Sequence, residues 1–279
     1  MTDISINTVA DYYNKNQILY NLLWSSDVLH YGFWETGIKN HKEALQNTNS
    51  FVASCLDLKQ GEIVLDAGCG VGGAAIYMAK QFGVKVNGIT ISHVQVKQAL
   101  KSLEKNNAIK HLLNFEKRNY TDTGYGSESF EKIYAIESSC QASSKKKFAE
   151  EMYRLMKPDG KLVVNDFFLS EIKNEYDKKN LNSFLQGWAI PHLSRREDFY
   201  EILSKTGFRN IQVYDKTNDI KKSSRIAWML GVVFYPFSWV GSALKIIPEN
   251  MHPHCVACIN QKYLFLNRVA NYLVFVAEK

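Results

Sequence analysis

The sequence predicts an α/β fold built on a doubly wound, mostly parallel sheet. Short apolar runs alternate with amphipathic helical stretches, and no internal repeat or low-complexity linker interrupts the alternation. The chain has 279 residues, of which 46% are hydrophobic, enough to bury the core of one such domain with a modest cap. Strands and helices that take turns return to the sheet by right-handed crossovers, so neighbouring strands should run parallel.

Strands and helices can be assigned in order along the chain. The runs predicted as strands are short, apolar and suited to burial on both faces; they are residues 62–67, 84–91, 130–136, 161–168, 209–215 and 272–279. Helical periodicity marks residues 72–81, 92–106, 144–156 and 194–208. Pro158 and Gly160 should end the third of these helices, and Gly207 should end the fourth.

Four segments follow from this assignment. They are an N-terminal helical and aromatic segment (1–58), a core (59–215), a helical insertion (216–268) and a final core strand (269–279). The insertion is too long for a turn between two strands, so it should form helices of its own.

The centre of the insertion, residues 226–244, carries no charge and is about as long as a membrane span. Gly231, Pro236 and Gly241 interrupt it, which disfavours a spanning helix. We predict an apolar lid over the core, with contact to a membrane surface as the open alternative.

Composition narrows the partners and the compartment. The net charge of +6 comes from lysines spread along the chain without a basic arm, which predicts no nucleic-acid partner. Five cysteines, an odd number in a long chain, favour reduced thiols. The first residues show no basic and apolar leader, so we expect a cytoplasmic protein. Nothing in the sequence predicts an oligomeric state.

A glycine-rich turn follows the first predicted strand. In the stretch IVLDAGCGVGGA (63–74), Asp66 precedes the glycines, and a helix comes next. Glycines let a ligand approach the backbone, and the helix N-terminus offers free N–H groups. We therefore expect a side chain at Gly68 or Gly70 to block the ligand and to leave the fold mostly intact.

The order of acid and glycines resembles motif I of the class I S-adenosylmethionine-dependent methyltransferases. GITIS (88–92) with Gln95 is similar to the second-strand signature of the group that contains sterol, tocopherol and geranyl diphosphate C-methyltransferases and cyclopropane fatty acid synthases. FEKIYAIESSCQAS (130–143) and the unit from 148 to 167 resemble the fourth and fifth strands of that group, and HYGFWE (30–35) resembles an aromatic N-terminal segment of its small-molecule members.

The resemblance implies a seven-stranded, Rossmann-like methyltransferase fold and S-adenosylmethionine as cofactor. It places the cofactor against residues of the first four strands and the turns after them, namely Asp66, Gly68, Gly70, Thr90, Ser92, Gln95, Asn119, Tyr120 and Glu137. Asn119 stands where most relatives carry an acid for the adenine amino group, and its side-chain carbonyl should accept that hydrogen bond instead. The aromatic region typical of the sterol enzymes is not reproduced, which disfavours a sterol.

Methyl transfer from a sulfonium is one displacement, so catalysis depends largely on positioning. An alkene nucleophile would leave a carbocation, which needs aromatic faces or a carboxylate and a base. Glu137, Tyr31 and His30 are therefore the candidate catalytic residues, although Glu137 could only order the cofactor, and hydrogen bonding in a turn is the favoured role of His30. The candidate substrate contacts are aromatic: Tyr13, Trp34, Phe234 and Trp239.

MHPHCVACIN (251–260) contains two histidines and two cysteines, residue types that bind zinc. It holds one C-x-x-C pair, and no second pair follows at zinc-finger spacing. We therefore predict no metal, and a loop whose thiols face the lid.

The predicted function is S-adenosylmethionine-dependent methylation of a hydrophobic small molecule, preferably at a carbon of an isoprenoid-like alkene. N- or O-methylation of a small metabolite is the alternative in the same class. A non-catalytic cofactor-binding protein or an RNA-directed protein is the alternative from another class, disfavoured by the dispersed charge.

Overall fold

A computed structural model describes residues 4–279. Its helices are α1 (Ile6–Leu23), α2 (His41–Leu56), α3 (Gly73–Phe82), α4 (His93–Glu104), α5 (Lys145–Leu155), α6 (Glu175–Gly187), α7 (Arg196–Thr206), α8 (Lys221–Ala243) and α9 (Met251–Leu266). Its strands are β1 (Ile63–Ala67), β2 (Lys85–Thr90), β3 (Leu113–Lys117), β4 (Phe130–Ile136), β5 (Met156–Leu169), β6 (Arg209–Asp215) and β7 (Ala270–Glu278).

Among residues 4–279, seven strands form one sheet in the order β3-β2-β1-β4-β5-β7-β6. β1 to β5 pair in parallel, and β7 is antiparallel to both β5 and β6. The predicted doubly wound, mostly parallel sheet is therefore confirmed. The strand order reverses between β1 and β4, and open α/β sheets bind ligands beside such a reversal, at the carboxyl ends of the strands.

The core lies on both faces of the sheet. Val64 and Val163 pack on one face with Met78 of α3, while Leu65 and Val164 face the opposite layer. Adjacent residues of a strand point to opposite sides, so a run of apolar residues fills both layers. This explains why the buried strands read as continuous apolar runs.

Several helix ends follow rules visible in the sequence. The side chains of Asn40, Ser92 and Ser144 accept hydrogen bonds from the first turns of α2, α4 and α5. Gly83 and Gly207 end α3 and α7 in the left-handed conformation.

The structure differs from the predicted elements in four places. β3 and α6 were not predicted, and β5 begins at Met156, directly after α5, with an irregular register opposite Phe130 and Lys132. Residues 251–260 lie in α9 and not in a loop. Cys255 and Cys258 pack against α8, where a side-chain carbon at Gly231 would lie 2.9 Å from Cys258 Cβ.

The segment between β6 and β7 consists mainly of α8 and α9, which pack against each other, and α9 also packs on α6. Within the described residues, α8 is the one helix long and apolar enough to cross a membrane, and 22% of its most apolar 18-residue window is buried. Its outer face is therefore largely apolar and exposed.

Candidate functional site

A cavity of about 470 Å³ lies at the carboxyl ends of β1, β2 and β4. The glycine turn after β1 forms its floor on one side, α1 crosses it, and the inner faces of α8 and α9 form the opposite wall. The N-terminal segment and the insertion thus meet over the sheet edge where the sequence places the ligand.

The glycine turn adopts the backbone that its sequence predicts. Gly68, Gly70 and Gly72 have φ angles of +104°, +51° and +86°, which side chains disfavour. A Cβ at Gly68 would lie 2.3 Å from Ser138 Cβ, whereas the nearest atom to a Cβ at Gly70 is Leu29 Cδ1 at 3.5 Å. The expectation that a side chain at Gly68 spares the fold is therefore wrong, and Gly70 is the position where added atoms enter the cavity.

Thr90 and Gln95 lie together at the end of β2 and line the cavity. The Thr90 hydroxyl donates to Gln95 Oε1 at 2.7 Å, and Gln95 Nε2 donates to Gln17 of α1 at 3.3 Å. Ser92 does not line the cavity, because its hydroxyl caps α4 and donates to Asn14 at 2.7 Å. The geometry supports a cofactor role for the first two residues and not for Ser92.

Asn119 and Tyr120 follow β3 and line the cavity. The Asn119 side-chain carbonyl already accepts from the Thr121 N–H at 3.0 Å and from its hydroxyl at 2.9 Å. Both lone pairs of that oxygen are engaged, so the geometry does not support its predicted bond to an adenine amino group. The Tyr120 hydroxyl donates to the Ser138 carbonyl at 2.9 Å.

Two acids line the cavity, buried Asp66 and partly buried Glu137. Burial raises the pKa of Asp66 to about 7, against the opposing effect of a 2.9 Å hydrogen bond from Tyr134. Burial raises the pKa of Glu137 to about 8, although Tyr272 and the Tyr31 N–H donate to it. A buried carboxylate without a counter-charge is costly, so both acids favour a cationic ligand.

Glu137 is held firmly at the end of β4. Its backbone has φ of 48°, a conformation that residues other than glycine seldom adopt, and its N–H donates to the Asn165 carbonyl at 2.8 Å. Glu137 Oε1 accepts from Tyr31 N at 2.6 Å and from Tyr272 Oη at 2.5 Å. Such backbone strain in a cavity is typical of a functional residue.

Tyr31 lies beside Glu137 in a set of aromatic rings. Its ring centroid is 5.8 Å from Phe167, 6.1 Å from Trp188 and 6.3 Å from Tyr272. The Tyr31 hydroxyl is buried and has no hydrogen-bond partner among the described residues. A buried hydroxyl normally has a partner, so this one points to a ligand group.

The geometry does not support the catalytic role predicted for His30. Its Nδ1 lies 2.9 Å from the Tyr31 carbonyl, and its Nε2 lies 3.0 Å from Asn49 Oδ1. Burial lowers the pKa of His30. Both ring nitrogens are engaged within the protein, so this histidine orders the turn that carries Tyr31.

The four predicted substrate residues divide into two pairs. Tyr13 and Phe234 line the cavity, and the Tyr13 hydroxyl donates to Gln141 at 3.0 Å. Trp239 is 58% exposed and lies outside the cavity lining, because five helical residues turn it about 140° away from Phe234. Trp34 also lies outside, with its indole N–H donating to Ser223 at 3.0 Å.

Sequence reasoning missed several residues of the site. Tyr272 appeared only as a core residue of the last strand, although its hydroxyl meets Glu137. Trp188 carried no motif, since it follows the unpredicted helix α6. His254 was considered only as a metal ligand.

Among residues 4–279, no group of three or more His, Cys, Asp or Glu side chains is arranged to bind a metal ion. His252 Nδ1 lies 3.0 Å from Ser238 on α8, while His254 faces the cavity. The two histidines of MHPHCVACIN therefore have different surroundings.

The site fits a nucleoside cofactor that carries a positive charge. The left-handed glycine turn leaves backbone open to the cavity, Thr90 and Gln95 offer polar groups beside it, and two acids lack a cation. With the sheet order, these features define an S-adenosylmethionine-dependent methyltransferase.

The chain belongs to the mycolic acid cyclopropane synthetase family, whose sequence model matches residues 2–222. It is 26% identical over 221 residues to (+)-O-methylkolavelool synthase of Herpetosiphon aurantiacus, covering 78% of this chain and 76% of that protein. It is 32% identical over 195 residues to 2-methyl-6-phytyl-1,4-hydroquinone methyltransferase of Synechocystis sp., covering 67% of this chain and 59% of that protein. A cyclopropane synthase from Mycobacterium tuberculosis has a similar fold, with a TM-score of 0.85, 16% identity and 98% of each chain covered.

The family and the fold show that this protein is a methyltransferase of small molecules with S-adenosylmethionine as cofactor. When bound, the cofactor supplies an electrophilic methyl group on a sulfonium. The glycine turn and the end of β2 are the parts of this chain that would hold the cofactor, and two acids and the aromatic rings lie in the same cavity.

The raised pKa values of Asp66 and Glu137 predict a pH-dependent preference for the charged cofactor. Below about pH 7 to 8 these acids are largely neutral, and above it they are ionised and attract the sulfonium. The ratio of S-adenosylmethionine to S-adenosylhomocysteine affinity should therefore rise about 10-fold between pH 6 and pH 8.5. Calorimetry with both ligands measures this ratio. Both ligands have the same amino acid end, so the contribution of that end to the affinity cancels in the ratio. A flat ratio would contradict the role of these acids.

Phe234 and Trp239 give a matched pair on the two sides of α8. Phe234→Ala should raise the Michaelis constant of a hydrophobic substrate about 10-fold, because it removes an aromatic contact from the cavity wall. Trp239→Ala should change the Michaelis constant by no more than about 2-fold from the wild-type value when the substrate is dispersed in detergent. Steady-state kinetics decides this, with cofactor affinity as control. Equal effects of the two substitutions would contradict the assignment of the inner face.

Proposed function

We propose that the enzyme methylates an alkene carbon of an isoprenoid-like substrate. The observation that carries the proposal is Glu137, a partly buried acid of the cavity lining beside the aromatic rings of Tyr31, Phe167 and Tyr272. Methylation of an alkene leaves a carbocation on the substrate. Aromatic faces and a carboxylate are the groups that stabilise such a cation, and the carboxylate can then remove a proton.

The hydrogen bonds of Glu137 suit this role. Oε1 accepts from Tyr31 N and from Tyr272, whereas Oε2 has no partner among the described residues. The free oxygen can approach the substrate while the other fixes the side chain. Glu137 is partly buried, so its carboxylate, once ionised, would act more strongly on a nearby cation than a solvent-exposed carboxylate would.

The relatives are compatible with a prenyl-derived substrate. The Synechocystis relative acts on a phytyl hydroquinone by its name, and the Herpetosiphon relative forms an O-methyl product. The cavity wall from α8 and α9 is largely apolar, with Leu230, Phe234 and Met251 among its residues. These features support a substrate whose larger part is a hydrophobic chain. N- or O-methylation of such a substrate is the alternative reaction.

Turnover with labelled S-adenosylmethionine tests the proposal. A panel of prenyl alcohols, prenyl diphosphates, prenylated phenols, fatty acids and amines is supplied, and mass spectrometry locates the new methyl group. A product methylated at a former alkene carbon supports the proposal. Methylation only at oxygen or nitrogen contradicts it and selects the alternative.

We further propose that the outer face of α8 contacts a membrane surface. Its exposed apolar residues include Val233 (59%), Phe237 (71%) and Trp239 (58%). Exposed Lys221, Lys222 and Arg225 lie at its start, the arrangement of a helix that rests on anionic lipid. Phe237 also lines the cavity, so the apolar surface reaches the cavity mouth.

Sedimentation with vesicles of phosphatidylcholine and phosphatidylglycerol tests this contact. Val233→Glu combined with Trp239→Glu should lower the bound fraction about 10-fold, because charged groups on the contact face oppose insertion. Tyr176→Glu, at an exposed aromatic residue of α6, is the matched control and should bind as the wild type does. Equal binding by all three proteins would contradict the proposal.

We also propose a cytoplasmic location. All five cysteines are free thiols, the state that a reducing compartment maintains. Fractionation of cells that produce the protein tests the location, and recovery from an exported fraction would contradict it.

A further inference from the structure

A chain of hydrogen-bonded side chains joins α1 to α9 on the cavity wall. The Tyr20 and Tyr12 hydroxyl oxygens lie 2.8 Å apart, and Tyr12 Oη lies 2.7 Å from His254 Nδ1. His254 Nε2 lies 3.6 Å from Cys258 Sγ, one turn further along α9. All four side chains line the cavity. No step of the methyl transfer described above uses them.

The cluster is electrically neutral near pH 7. Burial lowers the pKa of His254 to about 4 and raises the pKa of Cys258 to about 12. Burial also raises the pKa of both Tyr12 and Tyr20. Aromatic neighbours complete this environment, since Trp188 stacks on His254 with ring centroids 6.4 Å apart.

This chain of hydrogen bonds ends at Tyr20, whose hydroxyl group can form one more hydrogen bond. If His254 Nδ1 accepts from Tyr12, then Tyr20 donates to Tyr12, and the Tyr20 oxygen is free to accept a hydrogen bond. In the other tautomer Nδ1 donates, the order reverses, and the Tyr20 hydroxyl is free to donate. The chain can therefore match a group that donates, accepts or does both.

The charges around the cavity disfavour an anionic group. Its described lining contains the acids Asp66 and Glu137 and, among lysines and arginines, only Lys147, which is exposed in the first turn of α5. A diphosphate would find no cluster of cations there. A hydroxyl group matches the neutral chain, because it both donates and accepts.

We propose that Tyr20, Tyr12 and His254 form a binding subsite for a neutral hydroxyl group, so that the substrate is a prenyl-type alcohol or phenol and not a prenyl diphosphate. The inference rests on the proposed function, because it names the polar end of that hydrophobic substrate. It also gives His254 a role without a metal.

Three prenyl probes test the subsite by calorimetry on the protein saturated with S-adenosylhomocysteine: farnesol, the hydrocarbon that lacks its hydroxyl group, and farnesyl diphosphate. Farnesol should bind about 10-fold more tightly than the hydrocarbon, the scale of one buried hydrogen bond, and more tightly than the diphosphate. Tyr20→Phe should reduce the preference for farnesol over the hydrocarbon to about 2-fold or less. His254→Asn, which breaks the far end of the chain, should reduce it as well. Tyr176→Phe, on the exposed face of α6, should preserve it.

The outcomes separate this inference from the proposed function. Equal binding of farnesol and the hydrocarbon by the wild type, tightest binding of the diphosphate, or an unchanged preference in folded Tyr20→Phe and His254→Asn would each overturn the subsite. Binding by none of the probes would also contradict it. If the preferences hold but no substrate is methylated at carbon, the proposed reaction fails and the subsite stands.

Discussion

Replacing Glu137 by Gln should lower turnover about 100-fold or more, the usual scale for loss of an acid–base group. The substitution keeps the shape of the side chain and removes its charge. The amide oxygen can still accept from Tyr31 N and Tyr272 Oη, so the local structure and the affinity for S-adenosylhomocysteine should change little. Single-turnover kinetics together with calorimetry measures the two effects separately.

Glu131→Gln is the matched control, because Glu131 lies near the opposite end of the same strand and accepts from Ile63 N, outside the cavity. It should retain turnover within about 3-fold. If Glu137→Gln instead weakens cofactor binding as much as it slows turnover, then Glu137 is a structural ligand of the cofactor. The case for a carbocation would then lose its main residue. Methylation at an amine nitrogen or a phenol oxygen would give a smaller kinetic effect, since that reaction needs no stabilised carbocation.

The glycine turn and the Thr90–Gln95 pair could be predicted because their conformations depend on local sequence. The backbone at Gly68 and Gly70 is left-handed, a conformation that glycine favours, and the Thr90–Gln95 pair comes from one strand end and the helix after it. The alternation of strands and helices likewise fixes a parallel sheet without long-range information. β3 was missed because Leu113–Lys117 is short and carries two charged residues, and only pairing with β2 stabilises it.

The substrate half depends on contacts between distant parts of the chain. Tyr272 meets Glu137 across 135 residues of sequence, and Tyr12 meets His254 across 242. Neither pair leaves a local pattern. Trp34 and Trp239 were predicted in the pocket but lie outside it. Aromatic character alone suggested the pocket, whereas the position of Trp34 in its turn and of Trp239 on its helix directs both side chains elsewhere. Sequence periodicity shows which residues share one face of a helix, but it does not show which face meets the cavity.

Replacing Gly70 by Asn should weaken S-adenosylmethionine binding about 100-fold or more, because the added side chain enters the space where the turn faces the cavity. Asn is the residue of choice, since it tolerates the left-handed conformation that Gly70 adopts at φ of +51°. The nearest atom to its Cβ would be Leu29 Cδ1 at 3.5 Å, an ordinary contact, so the fold should survive.

Gly68 cannot serve for this test, since its Cβ would overlap Ser138 and disturb the protein itself. Gly124→Asn is the matched control: its φ is +71°, the nearest atom to its Cβ is the flexible end of Arg118 at 3.4 Å, and it lies outside the cavity lining. This control should bind the cofactor as the wild type does. Calorimetry on both variants, with melting temperatures to confirm folding, measures the effect. Unchanged affinity in folded Gly70→Asn would show that the cofactor does not lie against this turn, because an added side chain at that position must then leave the binding space free.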